Sequence, residues 1–134
     1  MPDHCAYDYS VIRVVPDVAR GEFLNVGVVL FAKTERALLS RIALDEERLS
    51  ALAPDADVAG IHSHLASIER ICEGGEAAGP HAHLSASERF HWLTAPRSTV
   101  IQLSPVHSGL CDDPETEVER LFARLVSPGA APRR

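Results

Sequence analysis

The sequence predicts an α+β domain built on a mainly antiparallel sheet, with helices packed on one face. Three observations carry that expectation. Residues 22–33 form a strand-like run with two apolar faces: Leu24, Val26, Val28 and Leu30 on one, Phe23, Val29 and Phe31 on the other. A strand buried on both faces belongs near the centre of a sheet. A shorter strand-like run precedes it across a brief connection, which favours an antiparallel hairpin. Two later segments, 57–73 and 113–126, repeat apolar residues at helical spacing and supply the covering layer.

Taken in order, residues 1–6 read as a lead-in. Residues 7–15 are rich in Tyr, Val and Ile and read as the first strand. Pro16 opens the connection to the central strand at 22–33. Thr34-Glu35-Arg36 turns the chain into a third strand over 37–44, although Ala37-Leu38-Leu39 also favours helix. Asp45 caps a short helix that stops before Pro54. Asp57 caps a longer one with Val58, Ile61, Leu65, Ile68 and Cys72 on one face, and Gly74-Gly75 end it. Residues 74–84 read as a mobile loop. Ser85 with Glu88 fits a capping box for a short helix through Trp92, closed by Pro96. A strand follows over 97–103, and a short one over 106–110. Asp112 or Asp113 caps the last helix, with Pro114 in its first turn and Val118, Leu121, Phe122 and Leu125 on its apolar face. This organisation is one domain over 1–126, with 127–134 as a disordered tail.

At 134 residues the chain can bury a sizeable core, and its low aromatic content of 5% leaves most packing to Ala, Val and Leu. A net charge of -6 argues against general nucleic-acid binding, which needs a basic surface. The three cysteines, Cys5, Cys72 and Cys111, form no C-x-x-C pair and suit free thiols in a reducing cytosol. No charged-then-apolar leader opens the chain, and no apolar run is long enough to span a bilayer, so a cytoplasmic location is expected.

Two dense segments stand out. The first runs R-x-V-P from Arg13 to Pro16 and then G-E-x-x-N-V-G-V-V-L from Gly21 to Leu30. The second, E-R-F-x-W-L-T-A-P-R-S-T-V-I-Q-x-S-P, runs from Glu88 to Pro105. Together they resemble the uncharacterised bacterial domain-of-unknown-function family 3037, over roughly residues 7–126. The resemblance implies no assigned activity. It does imply a gene neighbourhood that often includes a kinase of the Hip type, and so a protein partner by association.

The same segments hold the candidate binding residues. Arg13 sits between Val11 and Val15 on a strand and needs an acceptor, either an anion or Glu22 across the hairpin. Asn25 and Gly27 share a strand face, where a glycine marks a bulge or a close approach, such as room for Trp92 in the core. Arg89, Trp92, Arg97 and Ser98 surround the Pro96 corner. They would form either a donor-rich pocket for phosphate or carboxylate, or a structural corner anchored by Trp92. If Arg13, Arg89, Arg97 and Glu22 converge, an enzyme acting on an anionic substrate becomes possible, with Glu22 as base.

Other chemistry finds little support. His62 and His64 point to opposite sides of a helix, and His81 and His83 lack a third ligand, so no metal site is expected. Cys111, near a helix N-terminus with His107 as its nearest candidate base, reads as an incidental cysteine. Neither G-x-S-x-G nor a P-loop occurs, and no cofactor is implied. The leading expectation is therefore a non-enzymatic interaction or regulatory module for a protein partner. The alternative is a protein acting on a phosphorylated or carboxylated small molecule. Sharing of an apolar sheet face or edge would also make a homo-oligomer.

Overall fold

The computed structural model describes residues 4–127, and the tail expected beyond Ser127 lies outside the described residues. Five antiparallel strands form the sheet: β1 (Cys5–Val14), β2 (Leu24–Ala32), β3 (Ala37–Ile42), β4 (Ile101–Leu103) and β5 (His107–Cys111). Four α-helices accompany them: α1 (Glu46–Leu52), α2 (Val58–Glu73), α3 (Ala86–Thr94) and α4 (Pro114–Leu125). The α+β class and the antiparallel sheet agree with the sequence reading.

The strand order is β3-β2-β1-β4, and β5 lies beside β1 as well. One edge of β1 pairs with β2. Its other edge is divided: Cys5 to Tyr9 pair with β5, and Ile12 to Val14 pair with β4. Serines bridge the gap between β4 and β5. Ser104 donates its backbone N–H to the Val11 carbonyl at 2.9 Å, and its Oγ accepts from the Val11 N–H at 2.9 Å. Ser10 Oγ donates to the Ser104 carbonyl at 2.6 Å. Both serines are buried, so these bonds avoid the penalty of unpaired polar groups.

The helices, expected on one face, divide between the two. Ile12, Val14, Val29, Phe31 and Leu38 pack with Leu49 of α1, with Ile61, Leu65, Ile68 and Ile71 of α2, and with Phe90 and Leu93 of α3. Tyr7, Val28, Leu30 and Ala32 pack with Val118, Leu121 and Phe122 of α4. Strand residues alternate between these sets, as a period of two requires. This is why the central strand is apolar on both sides.

A bulge interrupts the alternation. Ile12 faces Gly27 but Arg13 faces Asn25, so Val26 has no counterpart on β1. Leu24 and Val26 therefore join the same core as Val29 and Phe31, and Asn25 turns to the α4 side. Gly27 sits where a side chain has no room. A Cβ there would lie 2.9 Å from Ile42 Cγ1, 3.0 Å from the Arg41 carbonyl and 3.1 Å from Ile12 Cδ1. Its neighbours are Ile12, Ile42 and the Arg41 backbone, not Trp92, which is 42% exposed.

The other differences have local causes. β1 starts at Cys5, inside the expected lead-in, because β5 offers it a partner down to Cys111. The stretch expected as a loop after Gly74 contains a 3-10 segment, Gly75–His81, broken by Gly79 at φ 55. The strand expected from 97 begins only at Ile101, although Val15 extends the ladder by donating to the Val100 carbonyl at 2.6 Å. The helix caps at Asp45, Asp57, Ser85 and Asp113 are as expected, including the Ser85–Glu88 capping box.

Gly27→Ala should destabilise the fold by about 1–3 kcal/mol, the usual range for overpacking. Denaturant unfolding followed by circular dichroism measures this as a lower midpoint with an unchanged slope.

Candidate functional site

The two dense sequence segments meet in the sheet. Arg13 on β1 faces Asn25 on β2 and Gln102 on β4, so the three form a polar row across three strands. Directly opposed residues project to the same face, and Asn25 identifies that face. Its Nδ2 donates to the Leu125 carbonyl at 3.1 Å, at the C-terminal end of α4. The Arg13 guanidinium lies 4.1 Å from the centre of the Phe23 ring. Among the described residues, buried Arg13 Nε and Asn25 Oδ1 find no hydrogen-bond partner. They are a donor and an acceptor on facing residues. Gln102 instead donates to the Thr99 carbonyl at 2.8 Å.

The remaining candidates lie elsewhere. Arg89 is a clamp on the end of α2. Its Nη1 donates to the carbonyls of Ile71 and Cys72 at 2.6 and 3.1 Å, and its Nε donates to Leu84 at 3.3 Å. Helix-end carbonyls lack partners within the helix, and a cation also suits the negative end of the dipole. Gly74 makes this possible twice over: it takes φ 80, and a Cβ there would lie 3.1 Å from Arg89 Nη2. Glu22 is exposed and pairs with Arg20 at 2.8 Å rather than with Arg13. Ser98 is exposed on the segment between α3 and β4.

Trp92 and Arg97 come together. The Arg97 guanidinium stands 4.7 Å from the centre of the indole, and its Nη2 donates to the Trp92 carbonyl at 2.6 Å. The His81 ring lies 4.2 Å from the same indole. Arg13 is thus on the α4 side of the sheet, whereas Arg89 and Arg97 are on the side of α2 and α3. The three arginines and Glu22 do not converge on one pocket.

Beside Trp92 runs a groove between α2, α3 and the 97–103 segment. A cleft of about 360 Å³ opens at the N-terminal end of α2, where Asp55, Gly60, His64 and Val100 contribute to its walls. A smaller hollow continues from it, bounded by His64, Trp92, Arg97 and Ile101. His64 and Ile101 belong to both. Partial desolvation, and then the nearby Arg97 charge, hold His64 below its ordinary value of 6.5, so it is neutral at pH 7. The groove therefore has carboxylates at one end, a guanidinium at the other, and apolar walls between.

A family model described as "Protein of unknown function (DUF3037)" matches residues 9–126. The chain belongs to this family. No curated protein and no solved structure matches it.

Sequence reasoning missed His64 as a groove residue, because only the fold brings it beside Arg97. It also missed a polar triad on the α4 side. Tyr7 Oη donates to Glu117 Oε2 at 2.5 Å, and Arg120 reaches the same carboxylate with two bonds at 2.6 and 3.0 Å. Burial, then the Glu117 bond, push Tyr7 up to about 12. Arg120 is the main cause holding Glu117 below the usual range. Only the spacing of Glu117 and Arg120, three residues apart on a helix, was a visible signal.

Cys111 is buried and faces Cys5 across the ladder. Burial raises its thiol pKa, the opposite of nucleophile activation. Among the described residues no group of three or more His, Cys, Asp or Glu could hold a metal ion, and no helix is long and apolar enough to cross a membrane.

Two tests follow. Arg89→Met should cost about 1–3 kcal/mol, because it strands helix-end carbonyls. Arg97→Ala should cost below about 1 kcal/mol, since it removes only a partly exposed stacking contact and one solvent-exposed hydrogen bond to the Trp92 carbonyl. Equal losses in chemical unfolding would contradict this division of roles. The second test uses pH. The folded value of Tyr7 is raised, so its contribution is full below 10.0 and disappears as pH rises through about 12. Tyr7→Phe should remove that alkaline loss, as read by stability measured against pH.

Proposed function

We propose that this domain is a non-enzymatic interaction module that binds a protein partner through the groove beside Trp92. The observation that carries the reading is Trp92 itself. A large aromatic residue, 42% exposed, carries the Arg97 guanidinium over its ring and lines the small hollow that adjoins the cleft through His64 and Ile101. Trp and Arg are the residue types that dominate binding energy at protein interfaces. Val100, 41% exposed, extends the apolar rim. The partner segment that fits is extended or helical and apolar at its centre. A basic residue would meet Asp55 and an acidic one would meet Arg97. The gene neighbourhood implied by the family resemblance makes a Hip-type kinase the first partner to test.

The competing reading, a protein acting on phosphorylated or carboxylated small molecules, needs an arginine cluster. Arg89 is engaged with backbone carbonyls and Glu22 with Arg20, while Arg13 lies across the sheet. These positions favour the interaction module.

The test is capture of partners from the host with the tagged chain, followed by binding measurements with the purified partner. Trp92→Ala should weaken binding by roughly 30-fold or more, the scale of an interface hot spot. Phe23→Ala, an exposed aromatic across the sheet, should leave binding intact. A partner held equally well by Trp92→Ala would refute the groove as the docking surface.

A further inference from the structure

The outer edge of β5 has the form of an interface for a second copy of this chain. Strand phase shows which backbone groups are free. Lys33 donates to the Ala6 carbonyl at 3.0 Å, so the polar backbone groups of Ala6 point to β2. In an antiparallel strand these directions alternate, so Cys5, Tyr7 and Tyr9 point towards β5 and bond Cys111, Gly109 and His107. The backbone groups of Ser108 and Leu110 therefore point away from the sheet, and nothing among the described strands pairs with them.

The side chains of this edge are unguarded. Edge strands are usually protected by charged residues, and segment 104–111 (Ser-Pro-Val-His-Ser-Gly-Leu-Cys) contains no Lys, Arg, Asp or Glu. Its apolar residues are exposed, Val106 at 44% and Leu110 at 66%. Gly109 keeps the strand centre bare for an internal reason: a Cβ there would lie 2.7 Å from Tyr7 Oη. The opposite sheet edge, β3, carries Arg41 and is flanked by α2 and α4.

We propose that two copies of the chain associate through β5, antiparallel, about a two-fold axis at Ser108. This is independent of the Trp92 groove. Two separate patterns select the register. With Ser108 facing its own counterpart, the outward backbone groups of both strands meet in phase. The same register sets Val106 of each copy opposite Leu110 of the other, so each exposed apolar residue gains an apolar partner on one face of the joined sheet. The Ser108 side chain, which donates to Asp8 at 2.7 Å, stays within its own chain. Asp8 also meets Lys33 at 3.3 Å, which balances the nearest acidic charge across the axis. The contact is isologous and closes at two copies, so it removes the exposed edge instead of propagating it.

The test uses the full chain. Sedimentation equilibrium should give a two-chain particle that Leu110→Lys converts to a single chain, with an unchanged circular dichroism spectrum. Leu110 is mostly exposed, so the substitution does not threaten the fold. In a second variant, Ser108→Cys, oxidised glutathione should link two copies by a disulfide, since facing hydrogen-bonded positions lie roughly 5.5 Å apart, within disulfide reach. His107→Cys should link far less. A single-chain mass for the unaltered protein at its highest soluble concentration would overturn the proposal. So would a two-chain particle that survives Leu110→Lys, or one that Ser108→Cys fails to cross-link.

Discussion

The hydrogen-bond ladders on the two edges of β1 hold the rest of the molecule in place. One edge joins the strand to the central strand β2, and the other joins it to β4 and β5, which come from the far end of the chain. Both cores take side chains from β1: Ile12 and Val14 on the side of α2 and α3, Cys5 and Tyr7 on the side of α4. The break between β4 and β5 falls where Ser10 and Ser104 satisfy each other and the neighbouring backbone, so the edge changes partner without leaving buried groups unpaired. This strand is also where the two family segments meet, at Arg13 with Asn25 and Gln102.

Much of the fold was readable in advance because its signals are local. Caps at Asp45, Asp57, Ser85 and Asp113 need only a short side chain beside a free helix end, and each is visible in a few residues. That β2 is apolar on both sides was equally plain, but Leu24 and Val26, expected on the face of Val28 and Leu30, lie across the bulge with Val29 and Phe31. The consequence of two apolar sides was missed, since a strand apolar on both sides requires a cover on both sides and the helices divide accordingly. The bulge at Val26 was signalled only by Gly27. The start of β1 was missed because it depends on β5, about a hundred residues away.

The site was less readable, since an arginine in a sequence does not declare its acceptor. Arg89 and Arg97 occur eight residues apart in one segment, yet one closes a helix end and the other presents an indole. Glu22 is close to Arg13 in the hairpin connection but answers to Arg20. Long charged side chains choose among several neighbours at similar cost, and the choice is set by tertiary packing rather than spacing. His64 shows the converse: an unremarkable helix residue acquires a perturbed environment only because the 97–103 segment passes beside it.

The Arg89 clamp has a consequence for the thermodynamics of the proposed recognition. By tying the end of α2 to α3, it makes both walls of the Trp92 groove parts of one stiff unit. A surface fixed in this way loses little motion when it is covered, so the entropic cost of association falls mainly on the partner. Association should then resemble a rigid fit, with little backbone movement on this side. Loosening the clamp would turn the same contacts into a slower and weaker encounter without removing any of them.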